Sequence, residues 1–423
     1  MTITVGIDGY NLAMPMGTGI ATYARTLAST VKHMGGKTLG VFDVDAGGDP
    51  DLQEVLFFDR LTHPMVRKKS LIARWRNWRW KVPDLVEINR GAVDRRPMLD
   101  RIPDFDRLAT GPSLFAAAFR QFWRTGQMAT LSLANPPDIM HWTCPVPLKL
   151  AGSRNVYTIH DLVPLRMPYM TLDNKRLFHA LTRACVQAAD HVCTVSEITA
   201  CELTAMFPEA TGKVTTTYQA CDISEAADLP EHEARNVVGR LGLVPGAYFL
   251  FYGALEPKKN VARLLEAHAR MTSDTPLVVV TGRSWNNQTE QALVDSLSKG
   301  SDRLIVMDFL PRGVLQALIK NARAVTFPSL HEGFGLPVLE AMRLGVPVLT
   351  GNQGGVVEVA GDAGLLVDPY SVPDILEGLT RMDRNPKLRC ELASAGLEQA
   401  EKFSPDKYAR RMSVVYSNLR AGI

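Results

Sequence analysis

Two glutamates, Glu332 and Glu340, flank the run Gly333-Phe334-Gly335-Leu336-Pro337 within the stretch Ser329 to Met342. These residue types suit the recognition of hydroxyls and phosphate. Gly333 and Gly335 let the backbone come close to a ligand, and Pro337 fits a first helical turn, where its missing N–H costs nothing. Free amides at such a helix start attract an anion. Glu332 is then expected in a loop, and Glu340 about one turn inside the helix at ~3.6 residues per turn. The spacing reads as a pocket that holds a diphosphate between two hydroxyl-binding carboxylates.

Other chemistry-bearing residues fall just after strand-like runs. His160-Asp161 follow Val-Tyr-Thr-Ile, Ser196-Glu197 follow Val-Cys-Thr-Val, and Lys258-Lys259-Asn260 follow FLFYGALEP. Any one of them reads equally well as a cap or loop residue. Together with Glu332, which follows AVTFPS, they mark the carboxyl ends of strands, where open α/β sheets bind ligands.

The elements that must position these groups alternate along the chain. A strand at 3–8, a helix over about 19–34 and a strand at 38–44 form a βαβ opening. Its loop carries Gly17-Thr18-Gly19, which invites a dinucleotide-fold reading, but Gly17 comes nine residues after Asp8 and Thr22 takes the third glycine position, so the match is weak. Strands follow at 138–142, 155–160 and 191–196, with a helix near 173–189. The polar stretch 221–246 reads as a linker. Beyond it, strands at 248–254, 277–281, 303–309, 324–327 and 347–350 alternate with helix-patterned segments, and two or three helices close the chain after Asp368. Short apolar strands alternating with helices imply parallel sheets covered on both faces. The fold class is α/β, with two Rossmann-like parallel-sheet domains facing each other across a cleft.

Composition bounds the rest. The 423 residues suffice for two domains, and no stretch approaches the ~20 apolar residues needed to span a bilayer. The opening TITVGID is strand-like and lacks the build of a signal peptide. Six cysteines without a C-x-x-C pair read as buried free thiols of a reducing compartment, which points to the cytoplasm. Net charge is only +3, yet 58–107 carries 13 Lys/Arg against 7 Asp/Glu. Within that region Arg67 to Lys81 holds seven basic residues, three tryptophans and no acid, with Leu71, Trp75, Trp78 and Val82 at helical spacing. A second amphipathic piece lies at 114–123. Arginines snorkelling from a packed helix would explain the pattern. The reading preferred here is an interfacial helix on anionic lipid headgroups, with no nucleic-acid partner.

The chain resembles the retaining glycosyltransferases of family 4, which have the GT-B fold. The stretches GTGIATYARTL, TIHDLVPLRMP, TVSEITACEL, FYGALEPKKNVARLLEA and FPSLHEGFGLPVLEAMRLGVPVLTGNQGG through EVAGDAGLLVDP carry the likeness, which spans nearly the whole chain outside 58–135. The resemblance implies an acceptor-binding domain over 1–222, with 58–135 variable and a closing helix at 405–423 returning to it. The nucleotide-sugar domain would span 223–404. By the same resemblance Lys259 pairs with the donor diphosphate, and the amides of Gly333, Phe334, Gly335 and Leu336 hold the same phosphates. Glu332 accepts from sugar hydroxyls and Glu340 from the ribose diol. Gly17 and Gly19 approach the donor from the facing domain, and His160 lies near the reacting side of the sugar. Lys258 is left between donor binding and a solvent-facing position, and Ser196 between an acceptor contact, with Asp161, and a helix cap. Ala254 stands where some relatives place a second phosphate-binding arginine; Arg283 is the available substitute.

The implied chemistry is retention without a metal or other cofactor, the departing diphosphate itself taking the acceptor proton. The pairs Asp43/Asp45, Asp49/Asp51 and Asp104/Asp106 are the places where a hard cation would otherwise bind. TIHDLVPLRMP and GALEPKKN are similar to the mannosyltransferase-type members, so GDP-mannose is the first donor expected, with a UDP-sugar open and Phe309 and Leu310 as candidate base-pocket residues. The acceptor would be a glycan or polyprenol-linked glycan of surface polysaccharide synthesis. Competing readings are a nucleotide-sugar 2-epimerase of the same architecture, a degenerate binding-only protein, and an NAD-dependent oxidoreductase, against which the glycine spacing speaks.

Overall fold

A computed structural model describes residues 2–14, 19–63, 82–91, 93–99, 101–221, 230–282 and 303–422. Its first sheet has eight strands in the order β10-β9-β8-β6-β1-β2-β4-β3. These are β1 Thr4–Asp8, β2 Lys37–Phe42, β3 Val86–Glu87, β4 Arg107–Thr110, β6 Ile139–Trp142, β8 Arg154–Ile159, β9 His191–Thr194 and β10 Val214–Thr216. All pairs are parallel except β3 with β4. A small parallel pair, β5 Ala129–Leu131 with β7 Leu148–Leu150, stands beside it. The second sheet is wholly parallel in the order β13-β12-β11-β14-β15-β16. It comprises β11 Phe249–Tyr252, β12 Leu277–Val280, β13 Leu304–Met307, β14 Ala324–Phe327, β15 Val348–Gly351 and β16 Leu365–Val367.

The central strands Phe-Leu-Phe-Tyr, Leu-Val-Val-Val and Ala-Val-Thr-Phe are buried at every position, as strands covered on both faces must be. The anticipated strands are present with ends shifted by at most two residues. β3, β4, β5, β7, β10 and β16 were not anticipated, because two to four residues are too few to display a period. The stretch read as a linker holds a helix, Glu231–Arg240, with acids in its first turn and only Ala234 and Val238 buried. Two apolar positions in a polar decapeptide leave little amphipathic signal. Three helices close the chain, Val372–Arg384, Pro386–Glu401 and Pro405–Ala421. The Ser371 hydroxyl accepts the Asp374 N–H at the first, and the Asn385 side chain accepts the Leu388 N–H at the second. Each such cap is worth about 1 kcal/mol.

Within 58–135, the helix Leu114–Thr125 buries Leu114, Phe115, Ala118 and Phe122 on its own domain and leaves Trp123 70% exposed. The basic tryptophan-rich segment 67–81 lies outside the described residues, as does Arg283. No helix among the described residues is long and apolar enough to cross a membrane. The six cysteines are unpaired; four are buried, but Cys201 and Cys390 are exposed, against the expectation of buried thiols. Both lie on solvent-facing helix positions, where a small thiol is tolerated.

Helix Pro405–Ala421 lies against helix Gly19–His33, and its Tyr416 hydroxyl meets Nδ1 of His141 in β6 at 2.7 Å. His141 Nε2 meets the Thr158 hydroxyl at 2.7 Å, and Thr158 meets the Tyr23 hydroxyl at 2.9 Å. Burial pushes His141 down to about 3, so the ring stays neutral, with one nitrogen donating and the other accepting. Asp8, at the end of β1, accepts the N–H groups of Tyr10 and Thr143, and burial raises its carboxyl to about 6.

These two groups pull stability in opposite directions. His141 sits below its unfolded value, so its contribution is present above pH 6.5 and is lost as pH falls toward 3. Asp8 sits above its unfolded value, so acidification through the window from about 6 to 4 favours the folded state. Between pH 7 and pH 5 the first effect costs about 2 kcal/mol and the second returns about 1. His141→Gln should therefore make acidification from pH 7 to pH 5 less destabilising than in the parent, read as the shift in the urea midpoint; an identical shift in both would exclude this account.

Candidate functional site in the interdomain cleft

Gly335 has φ +110°, a conformation only glycine adopts readily, and it starts the helix Leu336–Arg343 with Pro337 in the first turn. The amino end of that helix faces the amino end of helix Gly19–His33: a Cβ placed on Gly19 would lie 3.8 Å from Leu336 Cδ1. Two sets of free amides and two positive dipole ends thus converge from opposite domains. Gly17 lies outside the described residues. Gly333 does something the sequence did not suggest. A Cβ there would stand 1.9 Å from the His160 carbonyl oxygen, so it is the close approach of the two domains that demands glycine. The Phe334 side chain turns away into a cluster with Tyr218 and Phe403, leaving only its backbone for a ligand.

Lys259 ends a short turn, Pro257–Lys259, that is anchored by the next residue. Asn260 adopts φ +61°, and its side-chain amide donates to the Pro328 and Pro369 carbonyls at 2.9 and 2.6 Å. Held this way, Lys259 Nζ lies 2.7 Å from Glu332 Oε1 and 4.9 Å from the centroid of Phe327. The expected phosphate cation and the expected sugar-reading carboxylate are each other's partner when no ligand is bound. Lys258 does not face solvent. Its Nζ lies 3.5 Å from Asp161 Oδ2 and 3.7 Å from Glu256, joining the domains. Burial opposes its charge, but Asp161, Glu332 and Glu256 outweigh burial and hold the ammonium above its usual range. Burial likewise opposes the Asp161 anion, and Lys258 with the Val163 N–H holds the carboxyl below its usual range.

Glu340 is the fifth residue of its helix, and its Oε2 lies 2.8 Å from the Tyr252 hydroxyl, which also reaches the Pro337 carbonyl at 2.9 Å. Burial raises the Glu340 carboxyl, against the Tyr252 hydroxyl and the Arg312 guanidinium, which favour the anion. His160 Nε2 lies 2.8 Å from the Thr143 carbonyl, which only accepts; this nitrogen therefore carries the proton, and the neutral ring leaves Nδ1 with a lone pair. Burial lowers His160 from its ordinary value, and the ring meets Tyr23 edge-on at 4.9 Å. Ser196 is fully buried and caps helix Glu197–Met206 through the Thr199 N–H, so its hydroxyl is spent on the cap. That helix start is also closed from the other domain. Glu358 accepts the Glu197 and Ile198 N–H groups, both at 2.9 Å.

Tyr252, Arg312 and Glu358 escaped the sequence reading. Tyr252 stands at a strand end and was readable by position, whereas a lone Arg312 or Glu358 looks like any solvated helix residue. Phe309, considered for the base pocket, is 64% exposed. Three of the aspartates considered for a cation have other partners: Asp45 meets Arg60, Asp104 meets Lys32, Arg90 and Arg95, and Asp106 accepts from Thr38. The described residues contain no group of three metal-ligating side chains. An open depression of about 460 Å³ bounded by Asp138, Arg154, Asp190 and Arg420 lies at the amino ends of the first sheet's strands, away from the cleft. Its polar atoms serve the fold: Asp138 accepts the Thr4 N–H, and Asp190 pairs with Arg154.

Residues 17–225 match the family described as Glycosyltransferase Family 4, and residues 244–399 the one described as Glycosyl transferases group 1. The O-antigen chain mannosyltransferase B of Escherichia coli is 32% identical over 257 residues, covering 59% of this chain and 67% of that protein. The serotype-specific mannosyltransferase WbdA of Escherichia coli is 28% identical over 294 residues; the match covers 65% of this chain and 36% of WbdA, so the chain spans about a third of that relative. Among solved structures, the sucrose-phosphate synthase of Thermosynechococcus elongatus superposes with a TM-score of 0.68 at 17% identity and covers both chains fully, which shows the fold alone.

The Lys258–Asp161 contact bridges the domains at partly buried positions. Lys258→Met leaves Asp161 an enclosed, unpaired carboxylate and should cost about 2 kcal/mol. The double variant Lys258→Met/Asp161→Asn should recover part of that loss. Simple additivity of the two single changes in urea unfolding would show that the contact carries no energy.

Proposed function

Since the chain belongs to glycosyltransferase family 4, we propose that it moves a hexose, mannose from GDP-mannose in the first instance, onto a glycan or polyprenol-linked glycan with retention at the anomeric carbon. The glycosyltransferase class follows from the family; donor, stereochemistry and acceptor are our reading. The observation that carries it is the Lys259–Glu332 pair, 2.7 Å apart, set beside two facing helix amino ends. The E. coli relatives named for mannose transfer support the sugar. UDP-hexose is the alternative donor, and no cofactor is needed beyond the nucleotide-sugar itself.

On this reading the pair is exchanged when donor binds. Lys259 moves its ammonium to the diphosphate, which the amides of Gly333 to Leu336 and the start of helix Gly19–His33 also hold. The freed Glu332 carboxylate accepts hydroxyls of the sugar, and Glu340 with Tyr252 receives the ribose diol. The donor C1–O bond then breaks with both bonding electrons going to the phosphate oxygen, which Lys259 and the helix ends stabilise. The acceptor oxygen attacks C1 from the same face, and its proton passes to the departing phosphate. Neutral His160 lines the reacting side with Nδ1 open as an acceptor. The acceptor domain is 1–222, with the closing helix 405–423 packed back on it, and the donor domain is 223–404.

Lys259→Ala and Glu332→Ala should each lower kcat by about 10²–10³-fold, the range for losing one preorganised charge-stabilising group, with the fold retained and the melting temperature lowered by the charge left unpaired. Hydrolysis assays across GDP-mannose, UDP-glucose and UDP-galactose identify the donor. Turnover of another donor without GDP-mannose would refute the mannose reading, and an inverted anomer in the product by proton NMR would refute retention.

Peripheral membrane contact through Arg67 to Lys81 belongs to the same proposal, at the inner face of the cytoplasmic membrane. Binding to anionic vesicles should weaken between 0.05 and 0.5 M salt, roughly as the screening length shortens. It should fall severalfold when Arg74, Arg76 and Arg79 are made neutral. Unchanged cosedimentation of that triple variant would remove the segment from the interface.

A further inference from the structure

The first sheet turns its own crevice toward the cleft where strand order reverses about β1, between β6 and β2. Asp8 spends its carboxylate there on the amides of Tyr10 and Thr143, and so fixes the ends of β1 and β6 together. Thr143 in turn presents its carbonyl to His160, which makes the crevice continuous with the reacting side of the cleft. Register pairs Asp8 with Val41 at the ends of the two strands, and just beyond them the Asp43 carboxylate lies near enough to Tyr10 to raise its hydroxyl. The half-buried Tyr10 ring rests on Phe115 and Phe119, with centroids 5.0 and 5.8 Å away, as a flat platform backed by the helix Leu114–Thr125.

Asp43 is the unusual member. It is only half-exposed, yet among the described residues its carboxylate meets no cation and takes a hydrogen bond only from its own backbone N–H. The structure uses only its backbone carbonyl, which accepts the Ser113 N–H at 3.2 Å. A charge kept partly desolvated and unpaired is costly, and such groups persist where a ligand completes them. Among the described residues, the titratable groups that act on Tyr10 are Cys144, Asp43 and Asp8, none of them cationic. That setting repels phosphate and suits a ligand which donates hydrogen bonds and carries no charge. An aromatic face beside a carboxylate is the pairing a pyranose needs. Its apolar C–H face lies on the ring, whose face carries negative charge, while adjacent hydroxyls donate to the two carboxylate oxygens.

We propose that Tyr10 and Asp43 form the acceptor subsite, and that the sugar it takes is a neutral hexose rather than a sugar phosphate. The proposal rests on reading the first domain as the acceptor half and deepens it by naming the residues that select the acceptor.

Saturation-transfer NMR on the full chain tests this without any donor, using methyl α-mannoside, methyl α-glucoside and mannose 6-phosphate as probes. At least one neutral glycoside should bind, and mannose 6-phosphate more weakly. Asp43→Asn and Tyr10→Leu should each weaken the glycoside about tenfold, the loss expected for one charge-assisted contact or one platform. Asp43→Lys should reverse the preference toward mannose 6-phosphate. Asp45→Asn, two residues on and paired with Arg60, should leave binding as it was. Binding undiminished in Asp43→Asn, a tighter phosphate than glycoside in the parent, or no glycoside binding at all would each overturn the subsite. Failure of the transferase reading would instead appear as a parent chain that hydrolyses no nucleotide-sugar, whatever the glycosides do.

Discussion

The cleft depends on one contact that has no room for a side chain, the approach of Gly333 to the carbonyl of His160. Everything the two domains do together is built around that distance. With the backbones this close, Lys258 reaches Asp161, Glu358 reaches the start of helix Glu197–Met206, and the two helix amino ends at Gly19 and Leu336 face each other. A methyl group at position 333 would push the halves apart and break that register. The glycine-rich run therefore has two duties. Its amides are free for an anion, and its lack of bulk lets the opposite domain close over that anion.

The electrostatics follow the same logic of exchange. In the free protein each charged group of the cleft has a protein partner, Lys259 with Glu332 and Lys258 with Asp161. A buried charge left alone is expensive, so the pairs keep the empty site stable. They also keep it selective, because a ligand must offer both an anion for the lysine and hydroxyls for the glutamate. Only a molecule carrying both can trade places with the internal pair. Glu340 and Tyr252 extend the requirement to a second diol, and the half-enclosed carboxylate of Asp43 shows where such a trade has no internal counterpart.

Much of this was legible beforehand, for definite reasons. Fully buried parallel strands announce themselves as apolar runs, so β1, β11, β12 and β14 stood out. Glu332, Glu340 and Lys259 stood out because glycines, prolines and charge recur in one order. Edge strands such as β3 and β16 were too short to show a period, and helix Glu231–Arg240 buries too little to be told from a linker. The burial of Lys258 was invisible because its partner Asp161 stands 97 positions away. Tyr10 and Asp43 were hidden for a related reason. Their meeting depends on strand register, and neither belongs to a recognisable motif.

The ladder from Tyr416 through His141 and Thr158 to Tyr23 bears on how the chain is made. His141 and Tyr416 are 275 residues apart in the chain. At about 5–20 residues per second, the ribosome delivers the second roughly 14 to 55 seconds after the first. Until then the first sheet lacks the helix that covers Tyr23, and Nδ1 of the His141 imidazole waits without its partner. The amino-terminal half is thus the first to be synthesised and cannot be the first to finish folding. A nascent chain halted before residue 405 would expose that seam to chaperones and proteases.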